Sequence, residues 1–106
     1  MSFTGLQKHD VSVSGEELLK LCRKYKIQRL ALFGSILRDN FTPESDVDLL
    51  VEFAPGHTPG LGFIEIQDEL SRLLGRSVDL NTPQDLSRYF RQQVLEQAEV
   101  IYAADS

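Results

Sequence analysis

The chain has 106 residues, 42% of them hydrophobic and 25% charged, with 16 acidic against 11 basic side chains and a net charge of -5. That length gives one domain with one core, hiding roughly 65% of the surface the unfolded chain exposes. The acidic balance excludes a general nucleic-acid or anionic-membrane binder, because both need a basic patch. A single cysteine excludes an internal disulfide and a multi-cysteine zinc site.

Residues 1–13 are read as a poorly ordered N-terminal segment of a single 1–106 domain. They show no basic-then-apolar signal pattern, so a cytoplasmic protein is expected. The first helix opens at Ser14, with Glu17 completing a capping box. Leu18, Leu19, Leu21, Cys22 and Tyr25 share its apolar face. Arg29 to Phe33 reads as a buried strand, far too short to span a membrane. Val47 to Phe53 is a second strand with strong β-propensity. Two prolines and two glycines make residues 54–60 a loop. A helix follows over 61–74, with Leu61, Ile64, Leu70, Leu73 and Leu74 inward and Gly75 as its cap. Ser77 to Leu80 is a third strand, closed by Asn81-Thr82-Pro83. Residues 84–98 are read as a last helix, with Leu86, Phe90, Val94 and Leu95 inward. Helices alternating with strands predict an α/β (α+β) fold, a small β-sheet flanked by helices. Spacing leaves a mixed and a parallel sheet equally open.

The chemistry concentrates between Phe33 and Val51. An apolar strand runs directly into Gly34-Ser35, a corner where glycine admits close backbone approach and a following helix start favours phosphate. Arg38 lies one turn further on. After a ten-residue spacer beyond Ser35 come Asp46 and Asp48, which the two-residue period of a strand turns to one face while Val47 packs on the other. Converging carboxylates suit Mg²⁺, which is held by one or two carboxylates together with substrate phosphates. With eight aspartates in the chain, about 0.6 Asp-x-Asp pairs arise by chance, so the pair alone is weak. A solvated surface does not account for the whole arrangement of strand, Gly-Ser, spacer and Asp-x-Asp at a strand head.

Gly34-Ser35, ten residues and Asp46-Val47-Asp48 resemble the signature of the DNA polymerase β-like nucleotidyltransferase superfamily. Arg38, the 55–61 loop, the strand end Val78-Asp79-Leu80-Asn81 and a terminal helix running to Ile101-Tyr102 resemble its smallest branch, the minimal nucleotidyltransferases (MntA-type antitoxins). The resemblance implies a mixed-sheet palm, a triphosphate held by Gly34, Ser35 and Arg38, and two Mg²⁺ ions on Asp46, Asp48 and Asp79. Asp79, on a strand expected beside that of Asp48, would also help deprotonate the acceptor. It implies AMP transfer from ATP to a tyrosine of a HEPN-domain toxin, with no direct nucleic-acid or membrane partner. A chain this short leaves little material for an acceptor pocket, which also favours a protein acceptor. The alternative is a non-catalytic antitoxin that neutralises its partner by occlusion. Asp39 departs from the glycine often found there and is expected to face solvent. Cys22 is read as a buried structural thiol, His9 as part of the poorly ordered N-terminal segment, His57 as solvated, Tyr102 as packing, and Arg88 and Arg91 as a solvated helix face.

Overall fold

The computed structural model describes residues 2–3, 6–8, 11–13, 15–37, 42, 44–56 and 60–104. Ser14 lies outside them, as do His9, Arg38, Asp39 and His57. Short strands β1 (Ser2–Phe3), β2 (Leu6–Lys8) and β3 (Val11–Val13) lie within the segment read as poorly ordered. There follow α1 (Gly15–Lys24), β4 (Ile27–Phe33), a 3₁₀ turn (Gly34–Leu37) and β5 (Val47–Phe53). The chain closes with α2 (Phe63–Leu74), β6 (Val78–Asn81), α3 (Arg91–Gln97) and β7 (Glu99–Ala103).

One five-stranded sheet has the order β1-β7-β4-β5-β6, and β2 pairs with β3 in a separate ribbon. Among the described residues, only β5 and β6 run parallel, because α2 carries the chain back between them; the other pairings are antiparallel. The sheet is therefore mixed.

Register decides which face each residue takes. Leu30 opposes Val51 and Leu32 opposes Leu49 across β4 and β5, while Val47 and Leu49 sit beside Val78 and Leu80 on β6. All of these are buried in one cluster with Leu18, Leu21 and Cys22 of α1 and Ile66, Leu70 and Leu74 of α2. Burial pushes the Cys22 thiol up to about 12, which keeps it protonated and inert, as a structural cysteine should be. The hydroxyl of Tyr25 donates to Glu69, and Lys24 Nζ lies 3.2 Å from the same carboxylate, clasping α1 to α2.

Two helices differ from the sequence reading. In α2, Ile64 is 67% exposed and Ile66 is buried instead. The helix starts at Phe63 after a 3₁₀ turn; Ile66, Leu70 and Leu74 fall at four-residue steps on the core side, and Ile64 lies about 200° away from Ile66. The last helix covers only Arg91–Gln97, not 84–98. Thr82 N–H donates to the Asp85 carboxylate at 2.9 Å in a 3₁₀ turn over Pro83–Asp85, and Leu86 is then extended at ψ 145°, which interrupts any helix. Leu86 is buried as expected, but Phe90 and Leu95 are exposed. The terminal helix expected to run to Ile101-Tyr102 is strand β7. Its β-branched and aromatic residues pair along the edge of β4 and bury Ile101 and Tyr102.

Leu49 lies at the centre of this core with no exposed surface. Leu49→Ala is expected to cost about 2–5 kcal/mol, read as a lower urea midpoint at unchanged m-value.

Candidate active site

The face of the sheet opposite α1 and α2 carries Asp48 and Asp79, with Ala31 and Leu50 buried on the same side. With Val47 and Leu49 in the core, the alternation of β5 sends Asp48 to the other side, where it is half-buried. On β4 its register partner is Phe33, and on β6 it is Asp79, so one row crosses three strands. In a parallel pair, register partners point to the same face about 4.8 Å apart, so the carboxylates of Asp48 and Asp79 are neighbours. Asp79 alternates with buried Val78 and Leu80 and is exposed. Asp46 stands just ahead of β5, exposed, two residues from Asp48.

The chain leaves β4 through Gly34 at φ +80°, in the left-handed region that glycine adopts without strain. A Cβ built there would fall on the Asp48 carboxylate, 3.1 Å from its Cγ and 3.3 Å from its Cβ. The corner therefore needs glycine for two reasons, its dihedral and the contact with Asp48. Ser35 follows within the 3₁₀ turn, which Ile36 anchors by complete burial in the core. A four-residue 3₁₀ turn stands where the sequence suggested a short helix. Arg38, expected beside the phosphates, lies outside the described residues.

Sequence reasoning missed Arg76. Its guanidinium Nη2 donates to the carbonyls of Thr42 and Ser45, both at 2.8 Å. Ser45 Oγ accepts from the Thr42 N–H at 3.0 Å, closing the turn that leads to Asp46. The next residue, Ser77, accepts a hydrogen bond from Val47 N–H at 2.9 Å, which starts the β5–β6 pairing. The segment after α2 thus clamps the backbone on both sides of Asp46. The signal was a basic residue directly after the helix cap Gly75, which has no local meaning without the fold.

Hard oxygen donors on one face suit a divalent ion such as Mg²⁺. Among the described residues, no three acidic, histidine or cysteine side chains are gathered closely enough to hold a metal by themselves. The donor set fits an ion that keeps waters and takes further ligands from a bound phosphate, as Mg²⁺ does. Among the described residues, no helix is long and apolar enough to cross a membrane.

A strand, a glycine corner and aspartates on two adjacent strands define a nucleotidyltransferase palm. Residues 16–106 match the polymerase beta nucleotidyltransferase family, and the chain belongs to it. It is 36% identical over 84 residues to the protein adenylyltransferase MntA of Thermococcus cleftensis, covering 78% of this chain and 81% of that one. Among solved structures it resembles a toxin–antitoxin structure with AMP-PNP, at TM-score 0.67 and 26% identity over 88% of this chain and 76% of the other. It also resembles a Shewanella oneidensis complex of an MNT antitoxin with a tri-AMPylated HEPN toxin, at TM-score 0.59 and 26% identity, covering 85% and 70%.

Two outcomes test the geometry. Gly34→Ala is expected to displace the Asp48 carboxylate and lower any nucleotidyl transfer about a hundredfold, the scale of a 1 Å misplacement, with the sheet still folded by circular dichroism. In Arg76→Ala, amide exchange at Ser45 and Val47 is expected to accelerate while the β4 amides keep their protection. Unchanged exchange would mean that the 42–45 turn holds itself.

Proposed function

We propose that this chain is a Mg²⁺-dependent protein adenylyltransferase that moves AMP from ATP onto a tyrosine hydroxyl of a HEPN-domain toxin, acting as its antitoxin in the cytoplasm. The observation that carries this reading is the row in which the corner glycine packs on Asp48 and Asp48 stands in register with Asp79. The likeness to an MntA and to MNT–HEPN complexes supports the donor and the partner.

On this reading each residue has its own role. Gly34 and Ser35 receive the β- and γ-phosphates at the end of β4, with Arg38 supplying positive charge. Asp46 and Asp48 hold the donor side of the site and are the residues that would ligate two Mg²⁺ ions, with Asp79 sharing one. Bound ions supply charge neutralisation on the triphosphate and acidify the acceptor hydroxyl. Asp79, on the outer strand of the sheet, faces the incoming hydroxyl and takes up its proton. The tyrosine oxygen forms a bond to the α-phosphorus, and the bond from that phosphorus to the bridging oxygen breaks. Pyrophosphate leaves on the Gly34 side, in line with the attack.

Incubating the chain with a HEPN partner, ATP and Mg²⁺ is expected to add AMP to the partner by intact mass, on a tyrosine by peptide sequencing. Asp46→Ala and Asp48→Ala are each expected to abolish the addition with the fold intact. A partner that stays unmodified, yet is still neutralised by the Asp46→Ala/Asp48→Ala double variant, would establish occlusion in place of catalysis.

A further inference from the structure

Gly34 has a second neighbour besides Asp48. It forms one wall of a cavity of about 490 Å³ lined by Phe33, Leu37, Phe90, Val94 and Gln97. That volume is within the usual span of small-molecule pockets, roughly 300–1,000 Å³, and the described lining residues are mostly apolar with one polar side chain, as in such pockets. Phe33 comes from the row that carries Asp48 and Asp79, so the cavity opens on the same face of the sheet. Phe90 stands just ahead of α3 and is 47% exposed, although the sequence pattern placed it inward. An aromatic ring left half in water at a cavity wall beside a phosphate corner is suited to stack on another flat ring.

We propose that this cavity is the nucleobase pocket of the transferred nucleotide, with Phe33 and Phe90 against the faces of the base and the Gln97 amide at its polar edge. The proposal rests on the nucleotidyl-transfer reading and deepens it by assigning the base, which the Gly-Ser and aspartate signature leaves unspecified. The order β4-β5-β6 separates the two substrates. The cavity adjoins the end of β4, on the side that receives the phosphates, whereas Asp79 lies two strands away on the edge strand β6. A protein acceptor reaches the edge strand from outside the sheet. The nucleoside, tied to its own phosphates, occupies the cavity next to Gly34. Among the described lining residues, Gln97 is the side chain with both a donor and an acceptor, which is what a base edge presents.

Calorimetric titration with ATP and with inorganic tripolyphosphate, in the presence of Mg²⁺, separates the base from the phosphates. The wild-type chain is expected to bind ATP about tenfold or more tighter than tripolyphosphate, the scale of one base–aromatic stack. Phe90→Ala and Val94→Asn are each expected to remove most of that difference and leave tripolyphosphate binding unchanged, with the circular dichroism spectrum intact. Gln97→Glu is expected to change the order of affinity among ATP, GTP, CTP and UTP. ATP binding that is insensitive to both cavity variants would overturn the proposal, and an unchanged base order would remove Gln97 from it. If the variants raise only the KM for the protein acceptor, the cavity takes the acceptor's ring and not the base. If tripolyphosphate and ATP both fail to bind the wild type, the nucleotidyl-transfer reading falls and the pocket assignment falls with it; ATP binding no tighter than tripolyphosphate overturns the pocket assignment alone.

Discussion

The two-residue alternation of β5 is the constraint on which both the core and the site depend. Val47, Leu49 and Val51 enter the layer under α1 and α2, and each is wholly buried. A strand that sends these three inward cannot also send Asp48 there, because successive side chains leave a pleated backbone on opposite faces. The same packing that holds the domain together therefore presents a carboxylate on the face without α1 and α2. A slip of one residue in register would bury Asp48 and expose the core row at once, so hydrophobic burial protects the geometry of the site.

Parallel pairing with β6 extends that constraint to a second carboxylate. Val78 and Leu80 pack into the same core as Val47 and Leu49, which leaves Asp79 to follow Asp48. Gly34 closes the arrangement from β4, where the absence of a side chain lets the backbone meet the Asp48 carboxylate. Arg76 and Ser77 secure the approach to Asp46 from the far side of α2. Three separated stretches of chain, the end of β4, the head of β5 and residues 76–80, thus meet at one place. Under the proposed reading they divide the labour, with phosphates at β4, the donor carboxylates at the head of β5 and the acceptor at the edge strand β6.

Strands β4, β5 and β6 were legible in the sequence because their cues are short and strong. Val47–Phe53 was read to the residue, and β4 and β6 within two residues, from apolar and β-branched runs bounded by Gly or Pro. The helices were legible in existence and less so in phase. Ile64 and Ile66 compete for the inward position in α2, and Ile66 takes it because it stands four residues before Leu70 on the face that packs into the core. The stretch after Pro83 was misjudged most. Periodic apolar residues suggested one long helix, but Leu86 packs from extended backbone, and Glu99–Ala103 takes the edge of β4 that only the assembled sheet makes available.

By itself, the sequence determined the family, through Gly34-Ser35, a ten-residue spacer and Asp46-Val47-Asp48, and the alternation that parts Asp48 from Val47 and Leu49, since these depend on spacing along the chain and on residue type. It also determined that the single thiol would be buried and inert. Tertiary structure alone decided that β5 and β6 run parallel, that the C-terminus is a strand, that Arg76 clamps the turn before Asp46, and that Gly34 separates a carboxylate from an apolar cavity. Each of these joins residues far apart in the chain, so it follows from burying a shared core and not from any local preference.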